Sequence, residues 1–233
     1  MKKLLLIPTL SAILLMSSCA FTNLFTKNLL DQRRRAFVGL SKVIFNEEGR
    51  MMGMSTASGA VIHHEGDKSY VLTAKHFCEA TGPKYIDQIS IHTHKMENAR
   101  AEVVAMAKDI DACIVSSKRV DARKLTVANN GPDIGEKVYN MAAPQGIFGE
   151  DLVMLYEGFY SGKLIEGPLG NVTADIFSLP ANPGSSGSPV INGRGKLIGV
   201  VFAIHSRFHH ITLSTPFEKL RNFIHQTLES KSE

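Results

Sequence analysis

Beyond its first nineteen residues the chain has no apolar run long enough to cross a bilayer, which needs about 20 residues, so a polytopic membrane protein is excluded. Cysteine is scarce: Cys19, Cys78 and Cys113 are too few for the disulfide framework of a small secreted scaffold. A dominant charge is also missing, since 26 Lys and Arg face 22 Asp and Glu, and the formal charge of +4 falls by two if Lys2 and Lys3 are removed with the leader. No nucleic-acid partner follows from that balance, and the run Arg33-Arg-Arg35 reads as a solvated face. Internal repeats and low-complexity tracts are absent. With 44% hydrophobic and 21% charged residues over 233 positions, the chain can bury one large or two small cores, and disorder as its main state is excluded.

The leader itself has the parts of a secretory signal: Lys2 and Lys3, an apolar stretch from Leu4 to Met16, then small residues before Cys19. Export is the expectation. Met16-Ser-Ser-Cys-Ala20 further resembles a bacterial lipoprotein signal, which implies lipidation of Cys19 and a domain tethered to the membrane surface of the cell envelope, with plain secretion as the alternative. Ala20 after the cysteine leans that resemblance towards the outer membrane. Residues 20–36 read as a linker or short helix.

From Phe37 onward the pattern is β. Short runs at Phe37–Phe45, Ala57–Ile62, Ser69–Thr73, Ile86–His94 and Ala112–Val115 are bounded by Gly, Asp or Asn, and His64-Glu-Gly-Asp-Lys68 joins two of them as a hairpin. A second set follows, punctuated at Asn129-Asn-Gly-Pro132, Ala143-Pro-Gln-Gly146, Gly167-Pro168, Asn182-Pro-Gly184 and Asn192-Gly-Arg-Gly195. Such spacing points to closed or sandwiched antiparallel sheets. In the tail, Phe217, Leu220, Phe223, Ile224 and Leu228 recur at helical spacing, so a helix over 216–228 should dock by that stripe.

Amide hydrolysis by a serine needs a hydroxyl, a base, a group that orients the base, and backbone donors for the oxyanion. Ser186 lies in Asn182-Pro-Gly-Ser-Ser-Gly-Ser-Pro189, where Gly184 and Gly187 permit a tight turn whose amides, those of Gly184 and Ser186, can form an oxyanion hole. His76 ends the run Tyr70-Val-Leu-Thr-Ala-Lys-His76, and Asp111 opens Ala112-Cys-Ile-Val115. Asp109, two residues earlier, is the competing carboxylate, and Asp111 is preferred because the apolar run begins directly after it. The order His, Asp, Ser, with the first two in one half and the third in the other, suits two barrels meeting at a cleft.

These stretches, with Ser58-Gly-Ala-Val-Ile62, Gly135–Gly146, Gly158-Phe-Tyr-Ser-Gly162 and Leu197-Ile-Gly-Val200, resemble the chymotrypsin-fold, trypsin-like serine proteases, in particular the bacterial branch holding the HtrA/Deg proteases and the glutamyl endopeptidases. The resemblance runs over roughly residues 37–225. It implies an all-β fold of two six-stranded antiparallel barrels, roughly 37–125 and 126–215, with a C-terminal helix, and a serine endopeptidase acting on protein or peptide substrates through an acyl-enzyme without a cofactor. The chain ends after one helix, so the PDZ domains of HtrA relatives are expected to be absent. Lys75 stands before the histidine where that family commonly has a small residue. A catalytically silent relative that binds peptides or a partner at a membrane surface is the alternative, and esterase chemistry at the same triad a third reading.

In this fold the specificity pocket is walled by residues about six before the nucleophile and by the strand after it. Counting puts Leu179, Pro180 and Ala181 on one wall and Phe202, Ala203 and Ile204 on the other, all uncharged. A Lys or Arg side chain there would lack a counter-ion, so a small or medium apolar residue is expected, unless His205 receives an acidic one. The pairs His63-His64 and His209-His210, and His92 with His94, lack Cys or acidic partners at metal-ligand spacing and read as surface or loop histidines. Cys78 and Cys113, each two residues past a triad candidate, read as free, buried small hydrophobes.

Overall fold

The computed structural model describes residue 24 and residues 26–165, 173–205 and 208–229, giving the backbone alone at 205, 208 and 209. Cys19, the leader and the Gly167-Pro168 turn lie outside the described residues. Residues 26–34 form helix α1, whose Leu30 packs on the core and whose Arg34 binds Asp31 at 2.8 Å and Asp151 at 3.0 Å.

The first barrel comprises β1 (Phe37–Asn46), β2 (Met51–Glu65), β3 (Lys68–Thr73), β4 (Tyr85–His92), β5 (Asn98–Met106) and β6 (Cys113–Lys118), with the one-turn helix α2 (Lys75–Cys78) after β3. The second comprises β7 (Lys137–Ala142), β8 (Met154–Leu164), β9 (Ala174–Phe177), β10 (Pro189–Asn192), β11 (Leu197–His205) and β12 (Phe208–Ser214). A 3₁₀ turn (Pro144–Gly146) follows β7, and helix α3 (Phe217–Glu229) follows β12. Both barrels close, in the orders β1-β2-β3-β6-β5-β4 and β10-β11-β12-β9-β8-β7, and every pairing in them is antiparallel. Closure removes the sheet edges that would otherwise template aggregation.

Alternation decides which side chains meet. Val38, Val61, Val71, Cys113 and Val115 fill the interior of the first barrel. Their neighbours Phe37, Ala60, Ile62, Tyr70, Leu72 and Ile114 enter a second core shared with Met141, Ile191, Leu197, Leu220 and Ile224 of the other barrel and α3. The stretches Ala57–Ile62 of β2, Ser69–Thr73 of β3 and Cys113–Val115 of β6 are therefore buried on both faces, which is why Ala60-Val-Ile62, Tyr70-Val-Leu72 and Cys113-Ile-Val115 read as continuous apolar runs. Val138, Phe177, Leu179, Val190, Ile198 and Val201 fill the second barrel. Helix α3 docks by the expected stripe, with Phe217, Leu220 and Ile224 buried. Asp175 of β9 accepts the Phe217 amide at 2.8 Å and the Tyr160 hydroxyl at 3.2 Å. Burial, and then the charge of Asp175, pushes the Tyr160 phenol up to about 12.

One expectation fails. Cys78 and Cys113 are joined as a disulfide rather than free. The one-turn helix α2 carries Cys78 back over the start of β6, so the two sulfurs meet although 35 residues separate them in sequence.

Candidate active site

Each barrel contributes one arm of the site. Thr73 pairs with Cys113 at the end of the β3–β6 ladder, and past that pair both chains leave the sheet, one into α2 and the other back into the loop that holds Asp111. There His76 Nδ1 lies 2.7 Å from Asp111 Oδ2, and the His76 backbone N–H donates to Asp111 Oδ1 at 3.1 Å. Both carboxylate oxygens are thus engaged by one residue, which fixes the imidazole's position and leaves Nε2 without a partner among the described residues. The Asp111 hydrogen bond, followed by opposing burial and then by the carboxylate's charge, leaves the His76 pKa raised above that of ordinary imidazole. For Asp111 burial is the largest influence and acts upward, but the His76 hydrogen bond and charge, with the backbone N–H groups of His76 and Lys75, hold the carboxyl below its usual range. Asp109 points elsewhere: it pairs with Lys219 of α3 at 2.8 Å.

The second arm is the turn 182–188 ahead of β10. Its amides sort into two groups. Ser185 N–H donates to Asn182 O at 2.9 Å, Gly187 N–H to Val201 O at 2.7 Å, and Ser188 N–H to Ser185 O at 2.9 Å. Among the described residues the amides of Gly184 and Ser186 have no acceptor. Pro183 O, in the same planar peptide as the Gly184 N–H, is held by Gln145 N–H at 2.7 Å, which turns the Gly184 donor to the opposite side. Gly184 takes φ +93°, and a Cβ there would sit 2.7 Å from Ala143 O and 2.9 Å from Gln145 N. Only glycine fits that turn.

Ser58 of β2 joins the arms. Fully buried, it donates N–H to Ser186 O and Oγ–H to Gly184 O, both at 2.8 Å, while its Oγ accepts the Ala143 N–H at 2.9 Å and its O accepts the Thr73 hydroxyl at 2.8 Å. Gly187 is wedged against the same strand ends, since a Cβ would lie 2.1 Å from Ser58 O, 2.2 Å from Thr73 Oγ1 and 2.9 Å from Ala74 N. Ser186 is next to Gly187 and Ala74 is two residues from His76, so the packing of Gly187 against Ala74 brings the two segments close, although no hydrogen bond joins the Ser186 hydroxyl to His76 among the described residues.

A cleft of about 510 Å³ beside the His76–Asp111 pair is lined by His76, Asp111, Phe202, Thr215, Asp109 and the lysines 75, 108 and 219, and Ser186 is not among its lining residues. A larger hollow of about 710 Å³ lies over β5 and β6, away from these groups.

The stretch 57–200 matches the trypsin-like peptidase domain family. The chain belongs to that family. It is 27% identical over 190 residues to the serine protease HtrA-like of Staphylococcus aureus, an alignment covering 76% of this chain and 24% of that protein. It is also 25% identical over 151 residues to the serine protease Do-like HtrB of Bacillus subtilis, covering 61% of this chain and 31% of that protein. The chain therefore spans about a quarter to a third of the length of these relatives. Among solved structures it superposes on the HtrA-type protease AlgW bound to a tripeptide with a TM-score of 0.70 and 20% identity, over 87% of this chain and 63% of that one. On an inactive form of the M. tuberculosis protein Rv3671c the TM-score is 0.64 at 15% identity, over 85% and 89%.

Of the residues singled out for specificity, Leu179 and Ala181 are buried in the core of the second barrel, whereas Pro180, Phe202, Ala203 and Ile204 are partly exposed. The side chain of His205 lies outside the described residues. His92 meets Ser41 Oγ at 2.9 Å, and His64 bridges Ser69 Oγ and Ala122 O, both at 2.9 Å. Ser58 and Gln145 were not singled out by sequence reasoning as contributors to the site. Both stand inside stretches of family resemblance, but their tasks are backbone contacts between distant segments, which leave no signal in residue type.

Proposed function

We propose that this chain is a serine endopeptidase in which Ser186 is the nucleophile, His76 the general base and Asp111 the group that orients it. The observation that carries the reading is the doubly bonded His76–Asp111 pair, at 2.7 and 3.1 Å, together with a serine turn in which, among the described residues, the amides of Gly184 and Ser186 have no acceptor. Ser186 Oγ attacks the scissile carbonyl carbon as its proton passes to His76 Nε2, and Asp111 stabilises the imidazolium. The carbonyl oxygen, now anionic, accepts from Gly184 and Ser186 N–H. His76 then gives its proton to the leaving amine, the acyl group stays on Ser186, and water activated by His76 releases it. No step calls for a cofactor.

Substrates in this reading are proteins or peptides, and Phe202, Ala203, Ile204 and Pro180 bound the side chain on the acyl side of the cut bond. Lipidation of Cys19 would hold the domain at a membrane surface, and no helix among the described residues is long and apolar enough to cross one. Hydrolysis of casein or a chromogenic peptide by the wild-type chain, abolished in Ser186→Ala with the fold intact by circular dichroism, is the expected result. Equal hydrolysis by the variant would overturn the assignment, and an inert wild-type chain that still binds peptide would favour a silent relative.

A further inference from the structure

The disulfide sits where the proposed proton relay has least support. Beyond the Thr73–Cys113 pair the β3–β6 ladder stops, and the His76 arm is a four-residue helix without a side-chain cap. Such a helix is not stable by itself. Besides the disulfide and the backbone N–H bonds to Asp111, Phe77 is buried in the first barrel, and Lys42 Nζ, 5.7 Å from the centre of the Phe77 ring, donates to Glu79 O at 2.9 Å. The Asp111 arm is an irregular loop braced by Ala107 N–H to Ala112 O at 2.9 Å and Ala112 N–H to Ile110 O at 3.0 Å. Cys78 lies two residues after His76 and Cys113 two after Asp111, so the disulfide ties together the same two segments that the His76–Asp111 hydrogen bonds join. The cysteines are buried, while the side chains of His76 and Asp111 remain 45% and 26% exposed and open to competition from water.

We propose that Cys78 and Cys113 are positioning residues for catalysis: their disulfide fixes the one-turn helix against the Asp111 loop, so that His76 keeps both hydrogen bonds while it accepts and returns the serine proton. The proposal rests on the reading of His76 and Asp111 as base and orienter. Opening the bond leaves Phe77 and Lys42 in place, so α2 should loosen rather than unfold. Reactivity then falls through misplacement of the imidazole, and substrate binding, made by β11 and the 182–188 turn, changes little. Export to an oxidising compartment, expected from the leader, is the setting in which such a bond persists.

The charged groups around His76 are Asp111 from the loop, Glu79 after α2, Lys42 from β1, and Lys75, Lys108, Asp109 and Lys219 at the cleft. Of these, Asp111 makes the contact that raises its pKa, so the pKa reports whether the pair is intact. The test is the His76 titration by NMR, with peptide-cleavage kinetics, on the wild-type chain and on Cys78→Ala/Cys113→Ala. The expected result is a lowered His76 pKa, a kcat reduced about 10- to 100-fold and KM within about twofold. Should the double variant not fold, the wild-type chain reduced in place, its two thiols counted by mass, takes its part, and reoxidation should restore the titration. A folded, disulfide-free protein with the wild-type titration and kcat would overturn the proposal. A wild-type chain with no hydrolysis would instead overturn the peptidase reading, and the titration would still decide whether the disulfide positions the pair.

Discussion

Ser58→Ala removes one oxygen from the junction of the two barrels. Its Oγ donates to Gly184 O and accepts from Ala143 N–H, so the variant leaves the Ala143 donor without its partner in a site that is 2% exposed and frees Gly184 O in the turn proposed to supply the oxyanion donors. A hydrogen bond contributes about 0.5–1.5 kcal/mol, and a buried group left unpaired costs about 1–3. Two bonds at one fully buried site give a loss of about 2–3 kcal/mol, or a Tm lower by roughly 4–12 °C for a chain of this size. The catalytic effect is separate. With Gly184 O unanchored, the Gly184–Ser185 peptide, which lies between the two peptides carrying the Gly184 and Ser186 N–H groups, can rotate, and the 182–188 turn loses part of its preorganisation. Removing one oxyanion donor outright costs about 100- to 1000-fold in kcat, so loosening one should cost about tenfold, with KM little changed. Differential scanning calorimetry and steady-state peptide hydrolysis at a temperature where the variant is folded measure the two effects independently. A Tm within 1 °C of wild type would refute the hydrogen-bond accounting, and a lowered Tm with unchanged kcat would show that Ser58 supports the fold and not the oxyanion turn.

Asp111→Asn should reduce kcat on the order of 10⁴-fold, whereas Asp109→Asn, which breaks only an exposed pair with Lys219, should be mild; the opposite ranking would move the orienting role to Asp109. Because Asp111 raises the His76 pKa and His76 must be neutral to accept a proton, kcat/KM should fall on the acid side with a midpoint above the ~6.5 of ordinary imidazole, and in any residual activity of Asp111→Asn that midpoint should move down. Gly187→Ala should fail to fold, since φ +85° and contacts of 2.1 and 2.2 Å leave no room for a methyl group, and a soluble, cooperatively melting variant would contradict that packing. A peptide-library profile should favour small or medium apolar residues before the cut bond; dominance of Glu would implicate His205, and dominance of Lys or Arg would show that the uncharged wall does not form the pocket.

Much of this architecture was readable from residue order. Runs such as Tyr70-Val-Leu and Ala112-Cys-Ile-Val115 are strands buried on both faces, and the Phe217, Leu220, Ile224 spacing gave the docked helix. Asp111, which directly precedes the buried run, is the carboxylate that meets His76, whereas Asp109 meets Lys219. Strand β5 was missed: of Asn98–Met106 only Ala101 is buried, so no alternation marks it, and it exists because β4 and β6 both pair with it. The disulfide was misread for a different reason. Two cysteines 35 residues apart carry no mark of proximity until β3 and β6 pair and α2 folds back, and neither step is legible at the cysteines themselves. The specificity wall was located by counting, which cannot tell that Leu179 and Ala181 turn into the barrel while Pro180 between them is partly exposed.

The central claim is that Ser186 is made nucleophilic by His76. Treating the intact chain with a fluorophosphonate and mapping the adduct by peptide mass spectrometry tests it most directly. The account predicts a single adduct, on Ser186, formed at a rate that collapses in His76→Ala. An adduct on another serine, or one on Ser186 that forms as fast without His76, would contradict it.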